Sequence, residues 1–295
     1  MADDQKFLAD LESETAGVRF AAWRLAGEVS PAVIPKLGKL AASETPGVAK
    51  AAREALTTMV HSVGKEPASA RRGPVVHGLL ALAGEGPLDV RVHALRLLSV
   101  VAGEREVPVI ARMFADANLR EEAVYAIERI PGDASNAALI AAYKTAPDDF
   151  KPRILAALGH RRAAGAVELC AEAARSPNKQ IAAAGVRAFG RIGRRAAGSI
   201  RTPDEKTLSD WERADLIDSL LRYADAQATE GNAAEAMRVY RTALDRPEEH
   251  WQCAAIIGIA RIGTAEAAAA ILPKMKSGNR NVRITASNAW KRMAG

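Results

Sequence analysis

One apolar pattern recurs about every 30 residues along most of this 295-residue chain. Within each copy, apolar residues fall at helical spacing, and a glycine, a proline or a polar break follows about a dozen residues later. Each copy therefore predicts one amphipathic helix of three to four turns. The eight copies begin at Val18, Val48, Val90, Leu119, Phe150, Ile181, Trp251 and Val282.

A second apolar helix is predicted after most of these first helices. Its copies begin at Ile34, Val107, Ala138, Ala166 and Ala267. Each repeat is therefore a helical hairpin, which cannot bury both of its apolar faces alone and must stack on its neighbours. Hydrophobic residues make up 48% of the chain and aromatic residues only 4%. Because alanine dominates the apolar share, helix axes can approach closely, and an all-α stack is expected.

The pattern VRxxAxxAL, followed by GxIG or a variant and an apolar second helix, resembles the HEAT repeat. The resemblance covers about residues 15–200 and 247–295, and the copies at Val48 and Phe150 depart from it. It implies a right-handed α-α superhelix of about eight HEAT-like hairpins, with the second helices on the concave face where partners of such scaffolds usually bind. The motif encodes packing, so it is specific for fold and not for function.

Two insertions interrupt the rhythm, and both are expected on the surface. Residues 61–73 predict a mobile loop between the helices of the second repeat. Residues 200–246 predict a helical hairpin that resembles one tetratricopeptide unit, with Thr202 or Asp204 as a helix cap. The domain organisation predicted is residues 1–199, 200–246 and 247–295 in one continuous solenoid, in which residues 278–295 form an end cap.

The hairpin predicted in the second insertion rests on small and aromatic residues at helical spacing. They are, with the turn and the closing proline, Leu220, Tyr223, Ala224, Gly231, Asn232, Ala236, Tyr240, Ala243 and Pro247.

Basic residues are concentrated in residues 151–201, which carry eleven Lys and Arg against two acids, whereas residues 202–273 carry seven against thirteen. Counting ten places into successive repeats gives one row: Arg129, His160, Arg191, Arg261 and Arg292. An edge of this kind could bind phosphates of a nucleic acid or another polyanion. The candidate polyanion-binding residues are Arg161, Arg162, Arg191, Arg194, Arg195 and Arg201.

A structural interpretation competes with the polyanion hypothesis. The row lies at the C-termini of first helices, where a cation complements the helix dipole. The basic segment could also neutralise the acidic insertion that follows it. Arg19, Arg91 and Arg283, at the start of their repeats, are predicted to tie each repeat to the preceding one. No aromatic residues alternate with the arginines, so a base-stacking platform is not predicted.

The preferred function is a non-catalytic scaffold that binds a protein or peptide on its concave face. The candidate protein-binding residues, chosen by their position on second helices, are Lys36, Lys39, His77, Arg112, Tyr143, Lys144, Glu168 and Lys274.

Enzymatic relatives of this repeat class provide a less favoured alternative. The iron site of deoxyhypusine hydroxylase needs His-Glu pairs, but none of the five histidines here is followed by Glu. Alkylpurine DNA glycosylases of the HEAT-like fold need a carboxylate and aromatic residues in a concave cleft. Trp23, Trp251 and Trp290 lie at core spacing and are predicted to pack. No catalytic residue, cofactor or metal is therefore expected.

Compartment and partners are only loosely constrained. No apolar stretch is long enough to cross a bilayer, so a soluble protein is expected. The acidic start has no basic leader followed by an apolar run, which favours the cytoplasm, with a periplasmic or secreted location possible after signal removal. Cys170 and Cys253 are predicted to be small buried side chains and not ligands. Nothing predicts the oligomeric state.

Overall fold

A computed structural model describes residues 3–66, 68–194 and 205–294, and every regular element among them is helical. Two compact units divide the chain, residues 1–142 and 143–295. Among the described residues, no helix is both long and apolar enough to cross a bilayer.

Unit 1 is built from helical hairpins. Its helices are α1 (Asp4–Glu12), α2 (Ala16–Arg24), α3 (Ile34–Ala41), α4 (Pro46–Lys65), α5 (Arg72–Gly84), α6 (Leu88–Val101), α7 (Val107–Ala111), α8 (Arg120–Arg129) and α9 (Asp133–Thr145), the last of which crosses the unit boundary. First helices pack on one another in sequence order, α2 on α4, α4 on α6 and α6 on α8.

Unit 2 repeats the same arrangement. Its helices are α10 (Lys151–His160), α11 (Val167–Ala173), α12 (Lys179–Ile192), α13 (Asp210–Thr229), α14 (Ala233–Leu244), α15 (Glu249–Ile262), α16 (Ala265–Ile271) and α17 (Arg280–Ala294). The first helices α10, α12, α13, α15 and α17 contact one another in this order. All eight helices predicted from the repeat are present and begin within two residues of their predicted starts.

The second insertion contains the predicted helical hairpin, formed by α13 and α14. Gly231, at φ 82°, makes the turn between them, and Tyr223 and Tyr240 are buried. Because α13 contacts both α12 and α15, it takes the place of a first helix in the stack.

The start of α13 was not predicted from sequence. Thr202 and Asp204 lie outside the described residues, and Ser209 caps the helix instead. The Ser209 hydroxyl accepts from the Glu212 N–H at 3.3 Å, and the Glu212 carboxylate accepts from the Ser209 N–H at 2.8 Å. This reciprocal pair is a capping box, which satisfies two backbone donors of the first turn.

The first insertion differs from the predicted mobile loop. Residues 61–65 belong to the long helix α4, which ends at Lys65. Arg71 donates to the carbonyl oxygens of Gly27 and Val29, and Arg72 donates to that of Val101 at 2.8 and 3.0 Å. These bonds attach the end of the connection to two neighbouring repeats. The loop prediction was wrong for residues 61–65 and 72–73, which are helical.

The arginines at the starts of repeats make the predicted ties. Arg19 donates to the carbonyl oxygens of Ser13 and Glu14, at 2.6 and 2.9 Å. Arg283 donates in the same way to the carbonyls of Ser277 and Gly278, at 2.7 and 2.8 Å. Both residues bind the carbonyls that follow the preceding helical segment, which have no partner within a helix.

Arg91 makes an equivalent tie from α6. It donates to the Ala83 carbonyl oxygen in the last turn of α5 at 3.1 Å and lies 3.3 Å from the Asp116 carboxylate. The structural interpretation of these three arginines is therefore confirmed.

Close packing of first helices depends on glycine. A Cβ atom at Gly190 of α12 would lie 2.3 Å from the Ser219 carbonyl oxygen of α13, and one at Gly159 of α10 would lie 2.8 Å from the Ala188 Cα. Such distances are below van der Waals contact, so any larger residue would push the two backbones apart.

We expect Gly190→Ala to destabilise the protein by about 1–3 kcal/mol, because the added methyl group overpacks the α12–α13 contact. Gly73→Ala is the matched control, since Gly73 is also helical but has nothing within 4 Å of its Cβ position. The control should be neutral or stabilising by up to about 1 kcal/mol. Urea unfolding midpoints measure both, and equal midpoints for the two variants would contradict the packing argument.

The two cysteines should differ in reactivity. Cys170 is fully buried, and burial raises the pKa of its thiol to about 12. Cys253 is half-buried, with the Thr285 hydroxyl 3.4 Å from its sulfur. Because the thiolate is the reactive form, iodoacetamide at pH 8 should label Cys253 well before Cys170. Mass spectrometry of the native and urea-denatured protein checks this, and similar native labelling of both thiols would refute it.

Candidate anion-binding cleft

A cleft of about 730 Å³ opens in unit 2 at the C-terminal ends of α10, α12 and the second half of α13. Its lining combines glycine backbone with charged side chains. The described lining residues are Gly159, His160, Arg162, Gly190, Arg191, Ile192, Arg194, Arg222, Asp225, Ala226, Thr229 and Glu230.

Local backbone geometry places the arginines at the mouth of the cleft. Helix α12 ends at Ile192, and Gly193, with a left-handed φ of 73°, is its C-cap and turns the chain away. A Cβ atom at Gly193 would lie 2.3 Å from the Ala226 Cβ, so α12 ends directly against α13. The side-chain amide of Gln227 donates to the Gly193 carbonyl oxygen and fixes this end. Arg162, just beyond α10, is also left-handed, with φ 49°.

Four guanidinium groups line the cleft, those of Arg162, Arg191, Arg194 and Arg222. Arg191 is half-buried and the other three are exposed. Within the described part of the chain, none of these four guanidinium groups makes a hydrogen bond or an ion pair with another residue. Arginine presents a planar fork of donors that matches carboxylate and phosphate oxygens, so the cleft offers several unused donors to an anion.

Two acids share the lining, but one of them is already engaged. The Asp225 carboxylate accepts from the Tyr240 hydroxyl at 2.6 Å and lies 3.5 Å from the Arg261 guanidinium. The Asp225 carboxylate is therefore bound to residues of α14 and α15. Glu230 is exposed. Because four arginines and only two acids are among the described lining residues, the formal charge of the lining is positive.

The predicted row of basic residues is only partly assembled. His160 and Arg191 line the cleft together, and Arg261 is linked to it through Asp225. Arg129 belongs to unit 1, where its guanidinium carbon lies 3.6 Å from the centroid of the Tyr125 ring. Helix α13 enters the row between Arg191 and Arg261 and brings Asp225, because it occupies the place of a first helix.

The competing interpretation, neutralisation of the acidic insertion, also has a contact in its favour. Arg187 of α12 lies 3.4 Å from the Asp215 carboxylate of α13. Burial raises the pKa of Asp215, and the nearby charges of Arg187, Arg222 and Arg191 act in the opposite direction. The helix-dipole interpretation fits too, since α10 and α12 both end at the cleft. Arg187 is therefore a structural partner of the insertion, whereas the four cleft arginines make no such pair among the described residues.

Three of the six predicted polyanion-binding residues, Arg162, Arg191 and Arg194, lie in the cleft. Arg161 is half-buried beside them and is engaged in contacts of its own. Arg195 and Arg201 lie outside the described residues. The sequence argument missed Arg222, because it treated the insertion as an acidic block and not as a first helix placed next to α12.

The predicted protein-binding residues do not form part of this cleft. In unit 1, Lys36, Lys39, His77 and Arg112 are exposed on α3, α5 and the turn after α7. The remaining four candidates follow the unit boundary: Lys144 and Glu168 are exposed, whereas Tyr143 and Lys274 are half-buried.

Lys274 has a structural role. Its ammonium donates to the Leu244 carbonyl oxygen at 2.7 Å and to the Gln252 side chain at 3.2 Å. It thus fastens the end of α14 to α15, and its charge is used within unit 2.

The four tryptophans divide between packed and exposed positions. Trp251 is 5% exposed and Trp23 and Trp290 are half-buried, as the packing prediction requires. Trp211 is 67% exposed, with the Arg187 guanidinium carbon 5.9 Å from its ring centroid. The described lining residues of the cleft include no Phe, Tyr or Trp.

Comparisons with known proteins add the fold class. No family model matches the chain, and no curated protein matches its sequence. A solved structure of Kap95p aligns with 99% of this chain at 14% identity and a TM-score of 0.50, and the chain spans 43% of Kap95p. This likeness shows the fold alone: the protein is an all-α solenoid of helical hairpins.

Two further solved structures align at TM-scores below 0.5. Human deoxyhypusine hydroxylase aligns at 17% identity and a TM-score of 0.40, over 76% of this chain and 97% of the hydroxylase. An engineered protein aligns at 18% identity and a TM-score of 0.43, over 100% of this chain and 89% of its own. At these scores neither structure informs the chemistry of the cleft.

Proposed function

We propose that this protein is a non-catalytic scaffold that binds a protein or peptide partner, and that an acidic segment of the partner docks in the cationic cleft of unit 2. The observation that carries the proposal is the group of four guanidinium groups in one concave cleft, without ion pairs among the described residues. Hydrogen bonds from a charged guanidinium group to a carboxylate are stronger than those between neutral groups.

An acidic peptide fits the mixed charge of the cleft better than a continuous phosphate backbone does. Asp225 and Glu230 interrupt the positive surface, and Asp215 and Asp218 lie further along α13. A peptide can place separate carboxylates against separate arginines, whereas every step of a nucleic-acid strand carries a charge that these acids repel.

The fold supports a scaffold role in a general way. Kap95p, which shares the fold, binds RanGDP. Solenoids of stacked hairpins present extended surfaces to their partners. The concave face predicted from sequence is the competing location, and its exposed residues Lys36, Lys39 and Arg112 provide a direct comparison with the cleft.

A second candidate function is binding of a nucleic-acid backbone or another polyanion. The excess of basic residues in 151–201 favours it, and it would show a steep salt dependence because counterions are released.

The test uses two triple variants that remove the same charge. One is Arg162→Ala with Arg191→Ala and Arg194→Ala, and the other is Lys36→Ala with Lys39→Ala and Arg112→Ala. The probe is a fluorescein-labelled ten-residue peptide in which glutamate alternates with serine, and its binding is followed by fluorescence anisotropy. We expect the cleft variant to bind about tenfold or more weakly, because three partly exposed ion pairs contribute roughly 0.5–1 kcal/mol each.

The second-helix variant should bind like the wild type. Retained binding by the cleft variant, with loss in the second-helix variant, would place the partner on the other face and overturn the cleft assignment. A ten-nucleotide oligouridine is the comparison ligand. If it binds more tightly than the peptide and weakens steeply with salt, the polyanion function replaces the proposal.

A further inference from the structure

An apolar pocket of about 260 Å³ lies at the opposite end of the α12–α13 contact from the cleft. Alanines form much of its wall, at Ala174, Ala182 and Ala183, and the larger apolar lining residues are Val186, Leu208 and Leu216. The polar lining residues are Arg175, Ser176, Lys179, Thr207, Glu212 and Asp215. Ala174, Val186 and Leu216 are buried and belong to one hydrophobic cluster. The pocket exists because small side chains stand where larger ones would fill the space.

The polar groups around this pocket are already engaged. Glu212 accepts from Ser209 at the start of α13, the Lys179 ammonium lies 3.5 Å from the Thr207 carbonyl oxygen, and Asp215 faces Arg187. These side chains therefore offer little to a polar ligand, and the interior of the pocket is apolar. At about 260 Å³, it is smaller than the roughly 300–1,000 Å³ of small-molecule sites, and it suits one or two apolar side chains.

The pocket and the cleft are connected along α12. Ala183 lines the pocket, Arg191 lines the cleft, and Arg187 stands between them on the same face, since residues four apart share a helix face. Eight positions at 1.5 Å per residue separate Ala183 from Arg191 by about 12 Å. Asp215, which lines the pocket, also lies within the electrostatic influence of Arg191 and Arg222 in the cleft.

We infer that the pocket is the anchor subsite for the acidic partner segment, and that it takes one apolar side chain about four residues from the nearest acidic residue. The inference rests on the proposed function. An extended chain advances about 3.3 Å per residue, so four residues cover the distance. The four guanidinium groups of the cleft, at the far end of this distance, favour an acidic segment over a basic one.

The experiment compares two fluorescein-labelled 12-residue peptides on the wild-type protein. Both carry four consecutive glutamates, and they differ only in whether Leu or Ala stands both four residues before the first glutamate and four residues after the last, which covers both chain directions. The leucine peptide should bind on the order of tenfold more tightly, because its side chain leaves water for an apolar pocket.

A variant that fills the pocket supplies the second arm. Ala183→Leu should reduce the preference for the leucine peptide to less than about twofold, while the alanine peptide binds as before. Ala254→Leu is the matched control, since Ala254 is an exposed residue of α15, and it should keep the full preference. Thermal melts verify that both variants fold, and the comparison on the wild type does not depend on either of them.

The outcomes separate the two proposals. Equal affinity of the wild type for the two peptides, with binding still lost in the cleft variant, overturns the anchor subsite and leaves the proposed function standing. Absence of binding by both peptides overturns both. If a second copy of this chain fills the pocket, the wild type sediments as a dimer, Ala183→Leu sediments as a monomer and leucine gives no advantage, which also overturns the anchor inference.

Discussion

Backbone contact between neighbouring first helices is the interaction on which the rest of unit 2 depends. Gly159 and Gly190 allow α10, α12 and α13 to approach until main-chain atoms meet. This approach brings three helix segments together at one end, where the cleft forms, and it brings α12 beside α13 along its length, where the apolar pocket forms. Both sites are therefore products of packing, and neither is formed by a loop alone.

The fold was largely predictable, because the information lies in local periodicity. Each of the eight copies gave a helix at its predicted place, and Arg19, Arg91 and Arg283 made their predicted ties, since these features depend on near neighbours in sequence. The Ser209 cap, the extension of α4 to Lys65 and the role of Arg222 were not predicted. Arg222 became visible only when α13 took the place of a first helix, which depends on stacking across the sequence.

Only the part of the candidate site that follows from repeat register could be predicted from the sequence. Repeat register placed His160 and Arg191 in a common row, and the structure brings them together. Register could not show that Asp225 would interrupt the row, or that Arg187 would be drawn to Asp215. A net charge counted along the sequence does not show which opposite charges lie close enough to pair. The charge of a cleft depends on that pairing, which only the folded structure gives.

Tyr240 connects an acid of the cleft lining to helix α15. Its ring lies over Gly258 of α15, where a Cβ atom would come within 2.3 Å of the ring carbon, and its hydroxyl holds Asp225. Any side chain at residue 258 would meet this ring, so the hydrogen bond to Asp225 depends on glycine at that position. The position of one acid in the cleft lining is thereby coupled to a buried glycine of α15 that is not among the described lining residues.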